Sequence, residues 1–450
     1  MDRTDPGRES CLMLLIAIII IFVLGYLAIA LEHPLRINKA ASALILGTTI
    51  WLLWFSASGS LHGTEGLQKA GEQLFQNVGD IAQILLFIIA AMTIVAIIDA
   101  NDGFSIIAQG IKTTNVRALI WIISGITFAL SPVIDNLTAT IIMVTLVRRM
   151  ISEKDTRLYF TGLIIIAANS GGAWSPIGDV TSTMLWMGEQ VSAPVLIETL
   201  FLPSLISLIV PAIVMSFIMK GKIAKVCPTV NETEADGVVK PPVFERNLIF
   251  ALGIGGLVSV PVIKTLFQVP PYLAILFVLG VFWVIVELLG GRYQRHSVPR
   301  RLVVYHIAKG IDVSSILFFA GILLAIGVLG ISGLLNSFAL VLENTFGDIR
   351  LLMFIIGLVS AFVDNVPLVA ATMEMYSLQT FPTDHLIWEF IAFSCGTGGS
   401  MLVIGTAAGI AAMGIDRHLT FGWYLKKITP IALLSYCAGV CFYLLIRGAM

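Results

Sequence analysis

Seven stretches of this chain are apolar for long enough to cross a bilayer, and no other property limits its fold as strongly. They run near Leu12–Leu31, Ala40–Phe55, Ile81–Ile98, Leu196–Met219, Leu248–Ile263, Tyr272–Leu289 and Ile428–Ile446. About 20 apolar residues span the hydrocarbon core as a helix, so each run predicts a membrane helix. Composition agrees: 57% of the 450 residues are hydrophobic and 12% are charged, a balance foreign to soluble domains of this length. The expected fold class is an all-α polytopic membrane protein, held in a lipid bilayer. No A-x-A-like cleavage site follows the first run, which is therefore read as a retained helix. Cys11, Cys227, Cys395, Cys437 and Cys441 lack metal-type spacing and predict no disulfide framework.

Two acids interrupt this apolar pattern, each followed by asparagine. Asp135-Asn136 lies in ITFALSPVIDNLTATIIMV and Asp364-Asn365 in IIGLVSAFVDNVPLVAATM, 229 positions later. A buried carboxylate is expensive in a membrane and marks an ion or proton pathway. The duplication extends further. Asp80–Phe87 matches Asp312–Phe319 at an offset of 232, and Gly171-Gly172 with Ile177-Gly178 matches Gly398-Gly399 with Ile404-Gly405 at an offset of 227. Three landmarks in one order indicate an internal repeat.

Basic residues orient the chain. Loops assigned to the cytoplasm hold 21 of the 27 Lys and Arg, while the loops around Glu189 and Asp384 hold none. That bias is self-consistent only if the Asp-Asn segments enter and leave the membrane on one side, as re-entrant hairpins with Asp-Asn at the tips. Pro132 and Pro367 flank the tips and interrupt helical hydrogen bonding. Five spans plus one hairpin per half make the second half inverted relative to the first, the plan of a secondary transporter with its site at the midplane. Repeat one covers residues 1–225, with its hairpin near 117–150 and a broken span near 158–188. A cytoplasmic linker covers 226–245. Repeat two covers 246–450, with its hairpin near 350–376 and a broken span near 386–414. Both termini fall outside. Ser60–Gly79 and Arg292–Gly310 read as interfacial helices.

The span after each hairpin is rich in Gly, Ser, Thr and Asn: IIIAANSGGAWSPIGDVTST in the first repeat and FSCGTGGSMLVIGTAAG in the second. Gly and Pro unwind a membrane helix and free its carbonyls, supplying oxygen ligands of the kind a dehydrated hard cation needs. A carboxylate balances the charge and takes a proton when the cation leaves, because burial raises a carboxylate pKa and a bound cation lowers it. The candidate cation- and proton-binding residues are Asp135, Asn136, Thr138, Asn169, Ser170, Asp179, Thr181, Asp364, Asn365, Thr397 and Ser400, with Asp135 and Asp364 as the direct Na+ or Li+ ligands. Asp179 could line the site or cap a half-helix, and Gly398-Gly399 could equally serve close helix packing. Thr406 reads as a simple cap. Asp80 and Asp312 read as solvated or capping residues near span ends, and Glu198, Glu287, Glu374 and Glu389 as acids reaching the interface. The six histidines fall in loops or interfacial segments.

The tips SPVIDNLTAT and SAFVDNVPLVAA, with NSGGAWSPIGDVTS and GTGGSMLVIGTAAG behind them, resemble the NhaD-type sodium/proton antiporters, over roughly Asp80 to Gly414. These belong to the superfamily that also holds dicarboxylate carriers and arsenite pumps. The resemblance implies exchange of Na+ or Li+ for H+ across a bacterial inner membrane, with no cofactor, and a dimer with elevator-like movement. In dicarboxylate carriers the tips resemble Ser-Asn-Thr; here Asp stands at both, which favours a cation. Thr138 in the first tip is matched by Pro367 in the second, so the half-sites are not equal. An anion carrier of the same fold is the alternative, against which no Lys or Arg falls in either tip or broken span. An intramembrane aspartyl protease lacks its GxGD motif, since Pro176 opens Pro176-Ile177-Gly178-Asp179. No G-x-x-x-x-G-K-[ST] loop supports ATP-driven pumping, and nothing points to nucleic acid.

Overall fold

The computed structural model describes residues 6–111, 113–223, 242–290 and 311–449. Among these the chain is helical throughout, apart from one isolated bridge between Asn115 and Lys222. Nine of the described helices are long and apolar enough to cross a membrane. They include Val116–Ile134 and Val313–Ile331 in addition to helices over all seven apolar runs. The interfacial segment expected at Arg292–Gly310 and most of the 226–245 linker lie outside the described residues. Pro242 precedes a helix that already begins at Val243 and ends at Phe267.

The chain forms two compact units. The first comprises Met1–Ile88, Asp312–Ile349 and Val366–Phe381. Within it, Lys39–Ser60 and Val313–Ile331 cross where Gly47 and Gly321 leave no room for a Cβ against the facing backbone, the close approach that small residues allow between membrane helices. The Trp51 indole donates to Leu324 O at 3.0 Å across the same crossing. Ser60–Gly79 does not form a separate interfacial helix. After a break at Gly63, with φ 58° and ψ −139°, helical bonding runs without interruption to Ala100. The reason is local: residues 64–80 carry helix formers such as Glu65, Leu67, Gln68, Lys69 and Ala70 and no proline. Asp80 consequently sits exposed inside a helix rather than capping one, whereas its repeat counterpart Asp312 does cap, accepting from Ser315 N at 3.2 Å.

The second unit comprises Ile89–Ile311, Arg350–Asn365 and Pro382–Met450. At its centre lie two helices buried almost all round. Lys154–Ala173 buries 15 of its 20 residues and Leu386–Gly398 buries 12 of 13. Such a helix shows no amphipathic stripe, because neighbours cover every face. Helix Val116–Ile134 ends two residues after Pro132, and a single residue, Asp135, separates it from Asn136–Met150. In the second half, Ile349–Val359 is followed by a five-residue break ending at Asp364 and then by Asn365–Met375. Pro367 falls in the first turn of that helix, where its missing N–H costs nothing. Lys154–Ala173 unwinds at Trp174 and resumes as Val180–Met187; Leu386–Gly398 passes through the 3-10 turn Gly399–Met401 and resumes as Ala407–Ile415.

Candidate functional site

The breaks are built the same way twice. Ser131 Oγ donates to Ala168 O at 2.5 Å, and Ser360 Oγ donates to Cys395 O at 3.0 Å. A Cβ on Gly171 would stand 2.7 Å from Phe128 O, and one on Gly398 would collide with Gly357 O. A Cβ on Gly178 would stand 2.7 Å from Pro132 Cα, and one on Gly405 2.7 Å from Ala361 O. In each case the residues pair at the 229 and 227 offsets of the sequence repeat. The glycine landmarks therefore bring the backbone of each break against its broken span, and close packing is their direct role in both halves.

Asp135 occupies φ 69°, ψ 158°, a region that glycine adopts readily and other residues adopt at about 1–3 kcal/mol of strain. The conformation is held from both sides. Its carboxylate accepts Thr138 N and Thr138 Oγ1, each at 2.8 Å, capping the following helix. The next amide, Asn136 N, donates to Gly178 O at 3.1 Å. Asp135 and Thr138 thus form a local pair, with Asp135 half-buried.

Behind this break lies a buried polar network. Asn136 Nδ2 donates to Asn169 Oδ1 at 3.0 Å and to Asp179 Oδ2 at 3.1 Å. Asn169 Nδ2 in turn donates to Ser400 Oγ at 2.9 Å and Thr406 Oγ1 at 3.3 Å. Asn365 Nδ2, from the second break, reaches Asp179 Oδ2 at 3.3 Å. Asp179 also accepts Thr181 N at 3.2 Å as N-cap of Val180–Met187, so it both lines the network and caps a half-helix. Its side chain is 2% exposed. The groups that hold its carboxylate are all neutral, and both Asp364 and Asp135 lie near enough to act on it electrostatically.

Of the expected residues, Asn136, Asn169, Asp179, Asn365 and Ser400 join one network, and Thr181 contributes its backbone N–H. Thr397 does not join: its hydroxyl donates to Phe393 O in its own helix at 2.6 Å. Ser170 is buried beside Asn169 with no hydrogen-bond partner for its hydroxyl. Asp364 is half-buried next to Asn365. Thr406 is more than a cap. It does cap Ala407–Ile415 through Gly409 N, yet it also accepts from Asn169. The signal was available, since Thr406 stands at the repeat position of Asp179. Glu389 does not reach the interface. It is fully buried and accepts from Arg447 Nε at 2.8 Å and Tyr443 OH at 3.1 Å, because the C-terminal helix Thr429–Ala449 brings a guanidinium to it.

Chemically, the network offers carboxylate, amide and hydroxyl oxygens in a desolvated setting, and among the described residues no ammonium or guanidinium is bonded to it. Such a donor set favours a small cation or a proton over an anion.

Comparison with known proteins agrees on class. Residues 11–389 match the family model CitMHS, described as citrate transporter. Sodium/proton antiporter 1 of Arabidopsis thaliana is 39% identical over 436 residues, covering 96% of this chain and 73% of that protein. The Na(+)/H(+) antiporter NhaD of Vibrio cholerae is 27% identical over 460 residues, covering 96% and 91%. The solved YdaH transporter of Alcanivorax borkumensis shares the fold, with a TM-score of 0.59 at 11% identity over 90% of this chain and 98% of that one.

Proposed function

Because the chain belongs to the CitMHS family and, within it, to the NhaD-type sodium/proton antiporters, we propose that it is a secondary transporter exchanging Na+ for H+, with Li+ as a second cargo. It is a transporter and not an enzyme, and a multi-pass membrane protein. In this reading the membrane is a bacterial inner membrane with both termini outside, the two halves are inverted repeats, and Asp135 and Asp364 sit at re-entrant hairpin tips. A homodimer is part of the same reading.

The observation that carries the reading is the environment of Asp179. Its buried carboxylate takes amide donors from Asn136 and Asn365, one beside each tip acid. Among the described residues, no basic side chain is hydrogen-bonded to it. A carboxylate so placed needs either a proton or a cation, and the two exclude each other. Cation entry therefore displaces protons from Asp135, Asp364 and Asp179, and proton entry expels the cation. Asn136, Asn169, Ser400 and Thr406 supply neutral oxygens that replace lost hydration.

The description of the family model favours a second reading, an anion cargo such as a tricarboxylate. Three acids around the network oppose it electrostatically. Reconstitution separates the two. Proteoliposomes with an imposed cation gradient, reporting internal pH with Na+, Li+ and K+ in turn, should alkalinise or acidify with Na+ and Li+. Citrate uptake without cation-driven proton movement would instead establish the anion carrier.

A further inference from the structure

The second unit also holds a half-open pocket of about 560 Å³, lined by Arg148, Arg157, Asp416, Arg417 and His418 together with the backbone around Ile415. Its size is that of a small-molecule site. Three guanidinium groups and an imidazole face a single carboxylate, so the cavity carries a net positive charge. The carboxylate is already engaged: Asp416 accepts Arg157 Nε at 2.6 Å, with His418 Nδ1 at 3.2 Å. Arg148 spends one donor on Ile415 O at 2.7 Å. Arg157 Nη1 also donates to Ile151 O at 3.3 Å and Ser152 O at 3.4 Å; a guanidinium has five N–H donors, so each arginine still holds donors beyond these bonds. Arg417 is exposed at the rim.

Residues close in sequence to the pocket indicate its level in the membrane. Tyr159, one turn-edge from Arg157, packs edge-on against Trp423 with centroids 5.3 Å apart. Trp423 belongs to the short helix Phe421–Lys427, which exposes Phe421 and Leu425 and ends in Lys426 and Lys427. Tyr and Trp beside exposed apolar residues and lysines identify the level of the lipid headgroups. Basic pockets between membrane helices at that level suit phosphate-bearing headgroups.

We infer that this cavity is a binding site for the phosphodiester headgroup of an anionic phospholipid, with Arg148, Arg157 and Arg417 as its phosphate-recognising groups. The inference does not depend on which ion the polar network carries. The arginines match phosphate oxygens by bidentate hydrogen bonding.

The test uses the purified full-length protein with short-chain phosphatidylglycerol, short-chain phosphatidylcholine and inorganic phosphate as probes, read by thermal shift and by native mass spectrometry. Phosphatidylglycerol should stabilise the protein and phosphatidylcholine should not. Arg148→Gln and Arg417→Gln should each weaken phosphatidylglycerol about fivefold, the worth of one basic residue near the surface. Arg417→Gln removes an exposed side chain, so it carries the test even if the loss of the Ile415 bond unfolds Arg148→Gln. Equal binding of the two lipids, or unchanged phosphatidylglycerol affinity in Arg417→Gln, overturns the proposal. So does inorganic phosphate that binds as tightly as the lipid, since the site would then take the free anion.

Discussion

The carboxamide of Asn365 donates to the carboxylate of Asp179 at 3.3 Å, although 186 positions separate the two residues. Asn136 approaches the same carboxylate from the other break. One buried acid is thereby tied to the residues that follow Asp135 and Asp364 at the two helix breaks, and any charge change at Asp179 is felt at each.

Neutralising Asp179, Asp135 or Asp364 to Asn should reduce cation-coupled proton movement to background while membrane insertion persists. Removing one partner of a buried charge pair costs about 3–5 kcal/mol, which is on the order of 100-fold or more in cation affinity. Exchange assayed in proteoliposomes is the measurement. Asp179→Asn at the parent rate would remove that residue from the site.

Competition between cation and proton has a kinetic signature. Lowering the pH should raise the KM for Na+ without an equal fall in maximal rate, because protonation withdraws the compensating charge. The three acids interact, so the midpoint belongs to the set rather than to one residue. A flat KM with a collapsing rate points to a remote sensor instead.

Asp416 supplies a stability prediction outside the spans. Burial by itself pushes its pKa up, but the Arg157 guanidinium and the His418 amide outweigh this and hold it below the usual carboxylate value. A depressed folded-state pKa contributes stability that is present above the unfolded pKa, about 3.9, and is lost as pH falls through the folded value. Arg157→Gln should lower Tm at neutral pH, since Asp416 is 2% exposed and loses its partner. The deficit relative to the parent should shrink as pH approaches 3–4, an order-of-magnitude window, in melting curves of the two proteins.

Glycine packing gives a paired contrast. Gly398→Ala should destabilise by roughly 1–3 kcal/mol, because its Cβ meets the Gly357 carbonyl. Gly255→Ala, with nothing within 4 Å of the added carbon, should be neutral or slightly stabilising. Chemical denaturation or thermal melts in detergent compare them, and equal effects would refute the close-approach account.

The Glu389–Arg447 pair should behave as a buried ion pair does. Arg447→Met alone should cost about 3–5 kcal/mol by leaving Glu389 uncompensated, while the double change with Glu389→Leu should recover most of it. A double-mutant cycle on thermal stability reads the recovery.

Much of this molecule is local and therefore legible in the sequence. The length of an apolar run decides that a helix crosses the membrane, and Pro132 marks where Val116–Ile134 stops, because both effects act within a few residues. The repeat was equally legible, and it pairs Ser131 with Ser360 and Gly171 with Gly398 in equivalent contacts. Facing is different. Lys154–Ala173 and Leu386–Gly398 are covered on all sides, so periodicity holds no information about which polar residue meets which neighbour. Only packing decided that Asn169 enters the network while adjacent Ser170 does not, since one residue step turns the helix by about 100°. Only packing set Thr406 against Asn169 across 237 positions and brought Arg447 to Glu389. The sequence by itself determined the helices, their breaks and the acids beside them. The tertiary structure decided which side chains share a hydrogen bond, because that depends on contacts made far apart in the chain.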